Sequence, residues 1–97
     1  MSGIRFLRAA VRDLDTIWTY IAEGNIDAAD RVVETIEETC ELLASMPHLG
    51  RRRAELGPRD VWTFPVRKYL IVYRPRPAPS RVIRVLHSAQ DVPRRLR

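Results

Sequence analysis

The sequence predicts an α+β fold: an N-terminal strand, a helical hairpin packed on a small antiparallel sheet, and a C-terminal three-stranded meander. Three observations lead there. Apolar residues recur at three- and four-residue steps from Ala10 to Leu43. Branched and aromatic residues concentrate in three short runs after Asp60. A connection rich in proline, glycine and arginine separates the two patterns.

Ile4 to Leu7 is short, β-capable and bracketed by arginines, which suits a first strand leading straight into a helix. Val11, Leu14, Ile17, Trp18 and Ile21 fall on one helical face, with Arg12, Asp13, Asp15 and Glu23 elsewhere. Gly24 suits a left-handed helix end, and Asn25 suits an N-cap that accepts a backbone N–H. The pair therefore marks the corner of a hairpin. In the second helix Ala29, Val32, Val33, Ile36, Cys40 and Leu43 repeat with the same period, and Pro47 stops it.

Met46 to Pro58 reads as a long basic loop carrying Arg51, Arg52 and Arg53. Val61–Val66, Tyr69–Arg74 and Arg81–His87 come next as strands, with separators short enough for antiparallel hairpins. Alternation puts Tyr69, Ile71 and Tyr73 on one face of the middle strand, and Leu70, Val72 and Arg74 on the other. With helices on one side only, the second face is expected to form a partly apolar, arginine-bearing surface.

The chain has 97 residues, enough for a single domain spanning 1–97. Residues 92–97 form a basic tail that either stays free or docks through Val92 and Leu96. The net charge of +5 hides a division: residues 1–50 hold four arginines against nine carboxylates, and residues 51–97 hold thirteen basic residues against three. The basic half suits acidic protein partners or polyanions. Direct nucleic-acid binding is not expected, because aromatic residues interleave the basic runs only within the strands. A lone cysteine and the lack of an apolar leader or span point to a cytoplasmic protein off the membrane. Two histidines and one cysteine without ligand spacing give no metal set, and no cofactor is expected.

Certain short words extend over nearly the whole chain. They are Ala10 with Asp13-Leu14 and Ile17-Trp18, Ala28-Ala29, Pro47 with Leu49-Gly50-Arg51, Tyr73-Arg74, and Arg84-Val85-Leu86-His87 followed by Asp91. In these words and in element order the chain resembles the ParE-type toxins of the RelE/ParE toxin–antitoxin superfamily. The resemblance implies a bacterial toxin neutralised by a ParD-like antitoxin, whose C-terminal segment wraps it, and acting by poisoning DNA gyrase. The other branch of the superfamily, the RelE-like ribosome-dependent endoribonucleases, supplies the alternative.

RNA cleavage needs a base, an acid and a cation in mutual reach. His87, Arg74 and Arg84 are the nominal candidates, but in a regular strand Arg84 and His87 point to opposite faces. A binding toxin with no catalytic residue is therefore the leading reading, with ribonuclease action second. Arg51, Arg53, Arg67, Arg74 and Arg84 are the expected target contacts. Trp18, Ile21, Arg74 and Arg84 are the expected antitoxin contacts. His87 is read first as a strand-end histidine packed against its neighbours, and Cys40 as a core side chain.

Overall fold

The computed structural model describes residues 3–56 and 60–87; Asp91 and the tail at 92–97 lie outside the described residues. In chain order the elements are β1 (Ile4–Phe6), α1 (Arg8–Ala22), α2 (Ile26–Ser45), β2 (Arg51–Arg52), β3 (Trp62–Val66), β4 (Tyr69–Arg74) and β5 (Ser80–Leu86). Single 3₁₀ turns at Pro47–Leu49 and Ala54–Leu56 flank β2. Two helices pack on a five-stranded sheet ordered β1-β5-β4-β3-β2.

Alternation of buried and exposed positions explains both helices. Ala10, Leu14 and Ile17 are buried from α1, and Ala29, Ile36, Cys40 and Leu43 from α2. Asn25 caps α2 as expected, its Oδ1 accepting the Ala28 N–H at 3.0 Å. The corner itself differs from expectation. Glu23 stays right-handed at φ −57°, and the Ile21 carbonyl accepts N–H groups from both Gly24 and Asn25. Closure through one shared carbonyl makes a left-handed glycine unnecessary. The Trp18 indole N–H donates to the Asp30 carboxylate at 2.8 Å, tying the helices together across their surface.

The sheet is mixed rather than wholly antiparallel. β1 lies parallel to β5, because the chain crosses the sheet through both helices before its last strand returns beside the first. A fifth strand comes from the basic connection, where Arg51 and Arg52 pair antiparallel with Thr63 and Trp62. The hairpins β3–β4 and β4–β5 form the expected meander.

The β4–β5 ladder is irregular at one point. Val72 pairs with Arg84 but Tyr73 pairs with Val82, so Ile83 is an extra residue in β5. This bulge allows Val82 and Val85, three positions apart, both to join the helix-side core with Ile71 and Tyr73.

The face of the sheet away from the helices is only partly open. Val72 is fully buried, and with Val61, Leu70 and Leu86 it forms a second, smaller cluster against which Leu56 and Ile83 pack. The connection after β2 turns back to deliver Leu56 there, so the apolar half of the expected surface is closed.

Tyr73 anchors the start of that connection. Its side chain is fully buried, and its hydroxyl donates to the Pro47 carbonyl at 2.5 Å while accepting the Gly50 N–H at 3.1 Å. Burial pushes the phenol above its ordinary range, which keeps the donated proton in place. Gly50 is needed for lack of room: a Cβ there would overlap the Tyr73 hydroxyl and sit 2.7 Å from the Thr63 carbonyl oxygen. Gly50→Ala is expected to lower stability by about 2 kcal/mol. Urea unfolding checks this, and an unchanged midpoint would show that the joint gives way without cost.

Candidate binding face

Asp13 organises one side of the molecule. Its carboxylate accepts Arg84 Nε at 2.7 Å, Arg84 Nη2 at 2.9 Å and the backbone N–H of Val85 at 2.8 Å. β1 stops at Phe6, opposite Val82, which leaves the β5 edge beyond it without a strand neighbour among the described residues. A carboxylate from α1 caps that edge. Arg84 is thus held in a two-pronged ion pair, 23% exposed against 15% for Asp13, and this bonding raises its already high pKa.

Each of the other candidate residues has a definite place. Arg51 is exposed on β2. Arg53 donates to the Glu55 carboxylate at 2.6 Å and reaches the Thr63 hydroxyl at 3.4 Å, while its N–H bonds the Val61 carbonyl. Arg67 takes the β3–β4 turn with a positive φ of 55° and is exposed. Arg74 ends β4, and its Nε is buried without a hydrogen-bond partner among the described residues. His87 follows β5 and meets the Tyr69 ring edge-on at 5.5 Å. Arg84 and His87 line one cleft of about 240 Å³ with Asp13, Thr16 and Leu86.

Arg74 is not in that group. It pairs with Arg81, six residues before His87 on β5, which corresponds to roughly 20 Å along the strand. Within the nominal cleavage trio Arg74 and His87 are therefore far apart, with Arg84 between them.

The helical hairpin presents a separate groove of about 300 Å³, lined by Phe6, Val11, Trp18 and Val33 with the carboxylates of Asp15 and Glu37. Trp18 is 37% exposed there. Ile21 instead packs against the main core, one turn further along the helix.

Sequence reasoning missed Arg5 and Arg81. The parallel register sets Arg5 beside Arg81, and the antiparallel register sets Arg81 beside Arg74. Their strand neighbours Ile4, Phe6, Tyr73 and Val82 pack on the helix side, so these three arginines share the opposite face. No local signal marks this row. It exists only once the first and last strands are paired.

At the next edge Asp60 gathers Trp62 Nε1 at 2.8 Å, Arg52 Nε at 3.1 Å and Arg76 Nη2 at 2.7 Å. The Trp62 bond first, then the two guanidiniums, hold its carboxyl below the ordinary value of 3.8. Cys40 is buried in the core, where desolvation and then Glu37 and Glu41 push its thiol up to about 12. It is a packing residue in an unreactive state. Among the described residues no group of three or more histidine, cysteine or carboxylate side chains is placed to hold a metal.

Asp13→Ala removes the acceptor for three hydrogen bonds and is expected to cost about 2 kcal/mol by thermal or urea unfolding; a neutral result would reduce the pair to decoration. Because the folded pKa of Asp60 is depressed, its contribution to stability is complete above pH 3.8 and disappears as pH falls through the lower folded value. Asp60→Asn should therefore diverge from the parent protein in stability above pH 3.8, and converge with it under stronger acid. Parallel unfolding measurements across pH followed by tryptophan fluorescence read this, and equal stability throughout would refute it.

Comparison with known proteins agrees with this geometry. The model of the ParE toxin of the type II toxin–antitoxin system parDE matches residues 4–92. The protein Y4kP of Sinorhizobium fredii is 33% identical over 90 residues, which is 93% of this chain and 92% of that one. The solved structure of a chromosomal ParDE system from P. aeruginosa shares the fold with a TM-score of 0.74 at 22% identity, covering 91% of this chain and 97% of that one. The family match spans both the helical hairpin and the meander, and the chain belongs to the ParE toxin family of type II toxin–antitoxin systems.

Proposed function

We propose that this ParE-family toxin is neutralised in the bacterial cytoplasm by a ParD-like antitoxin and arrests growth by binding and poisoning DNA gyrase, without catalysis of its own. The observation that carries the non-catalytic reading is the separation of the cationic and titratable groups. Arg74 lies at the end of β4 remote from His87, and Arg84 is engaged by Asp13. Phosphoryl chemistry on RNA needs such groups within hydrogen-bonding reach of one phosphate. For target contact, Arg51, Arg53 and Arg67 on the loop and turn, with Arg74 on the sheet, remain the proposed residues. Arg84 contributes through the joint it forms with α1. For the antitoxin, the groove beside Trp18 offers apolar surface, and Arg74 offers a cation.

A second reading has one observation in its favour. Arg84 and His87 line the same cleft with Asp13 and Thr16, which gives a RelE-type endoribonuclease two of its three parts.

The two are separated by incubating purified toxin with gyrase, ATP and plasmid, and in parallel with translating ribosomes. Persisting cleaved plasmid without messenger cuts is the expected result; messenger cuts with intact plasmid would reverse the assignment. His87→Ala should retain most toxicity in growth assays. Loss of toxicity in that folded variant would favour the nuclease.

A further inference from the structure

We propose that the β2 edge of the sheet, where Arg52, Arg76, Trp62 and His48 gather around Asp60, is a contact site for single-stranded nucleic acid. This goes beyond the gyrase reading and does not depend on it.

Two observations build the site. The first is a pair of guanidiniums held side by side. Asp60 draws Arg52 from eight residues before it and Arg76 from sixteen after it onto its two carboxylate oxygens, Arg52 Nε on Oδ1 at 3.1 Å and Arg76 Nη2 on Oδ2 at 2.7 Å. Each arginine commits one nitrogen to these bonds, and with side chains 54% and 59% exposed both keep further N–H donors for a ligand. Strand alternation turns Arg51 to the opposite face of the same edge. Among the described residues, Arg51, Arg52 and Arg76 are exposed here against Asp60, while Glu55 is taken up by Arg53, so the edge is cationic.

The second observation is aromatic. Asp60 also accepts the Trp62 indole N–H at 2.8 Å, so one carboxylate sets the ring beside the two arginines. Arg52 and Trp62 are register partners across β2 and β3, which puts both side chains on one face. The exposed His48, brought in by the turn after α2, meets the half-buried Trp62 edge-on with ring centroids 5.3 Å apart. In the sequence, rings interleave the basic runs only within the strands; here the fold places two rings next to arginines from separate segments.

That mixture selects the occupant. A single strand presents a phosphate and an unpaired base at each step, and sites that take it combine cations along the backbone with rings on which bases stack. A phosphate's oxygens can be shared between the two guanidiniums, whereas a carboxylate fits the fork of one. An acidic peptide would use the arginines and leave the rings without a role.

The test uses the full chain and a labelled oligothymidine of about 12 residues, with an abasic oligomer of equal length and a polyglutamate peptide as comparison probes. Fluorescence anisotropy should show the oligothymidine bound more tightly than either. Arg76→Gln, and Arg52→Gln combined with Arg76→Gln, should weaken it progressively, the pair by about ten-fold or more. The slope of log affinity against log salt should flatten by roughly 0.7 for each arginine removed. His48→Ala should narrow the preference for the oligothymidine over the abasic oligomer, and Arg12→Gln on α1 should change nothing. Arg76→Gln alters one exposed side chain, so its melting temperature should match the parent's and its binding reads the site alone. Equal oligothymidine binding by all variants, or an equal loss in Arg12→Gln, would overturn the proposal by showing only a response to net charge. Tighter binding of polyglutamate would overturn it in favour of an acidic protein segment.

Discussion

The fold depends on one half-buried carboxylate held between its two layers. Asp13 lies near the start of α1 and its partners Arg84 and Val85 near the end of the described chain, separated by 71 and 72 residues. Three hydrogen bonds to one side chain fix the angle of the helix against the sheet and satisfy a strand edge that β1 is too short to cover. They also turn Arg84 from a surface cation into a structural one. The bulge at Ile83 belongs to the same arrangement, because it lets Val82 and Val85 both face the core while Arg84 reaches the helix.

A second joint, at Tyr73, governs the other edge. Its hydroxyl holds Pro47 and Gly50 from the core side, so the chain leaving α2 must turn at once and enter the sheet as β2. Everything downstream of that turn inherits its position: Arg51 at the sheet edge, Arg53 against Thr63, and Leu56 over the second apolar cluster. These two joints connect distant parts of the chain. Asp13 with Arg84-Val85, and Pro47 with Gly50 and Tyr73, are pairs of words far apart in the chain and bonded in space.

Charge segregation along the chain becomes segregation between faces. The acidic residues of the first half ride on a hairpin that packs on one side of the sheet, and the described arginines of the second half gather on strands, loop and turn. The hairpin groove is apolar with Asp15 and Glu37 beside it, whereas the opposite face carries the arginines Arg5, Arg74 and Arg81.

Periodicity determined the helices and the meander, and short words along the chain carried the resemblance to the family, because these depend on contacts within a few residues or on words that stay intact in one dimension. The Asn25 cap, the stop at Pro47 and the burial of Cys40 were legible for the same reason. Tertiary structure decided what depends on register and distance. Sequence could not show that Arg84 is consumed by Asp13, that Ile21 turns inward while Trp18 stays at the groove, or that Leu56 closes half of the far face. Nor could it bring Arg5 beside Arg81, since parallel pairing of the first and last strands leaves no local trace. An arginine's role is set by which acid, if any, the fold brings within about 3 Å of it, and that is a property of packing rather than of composition.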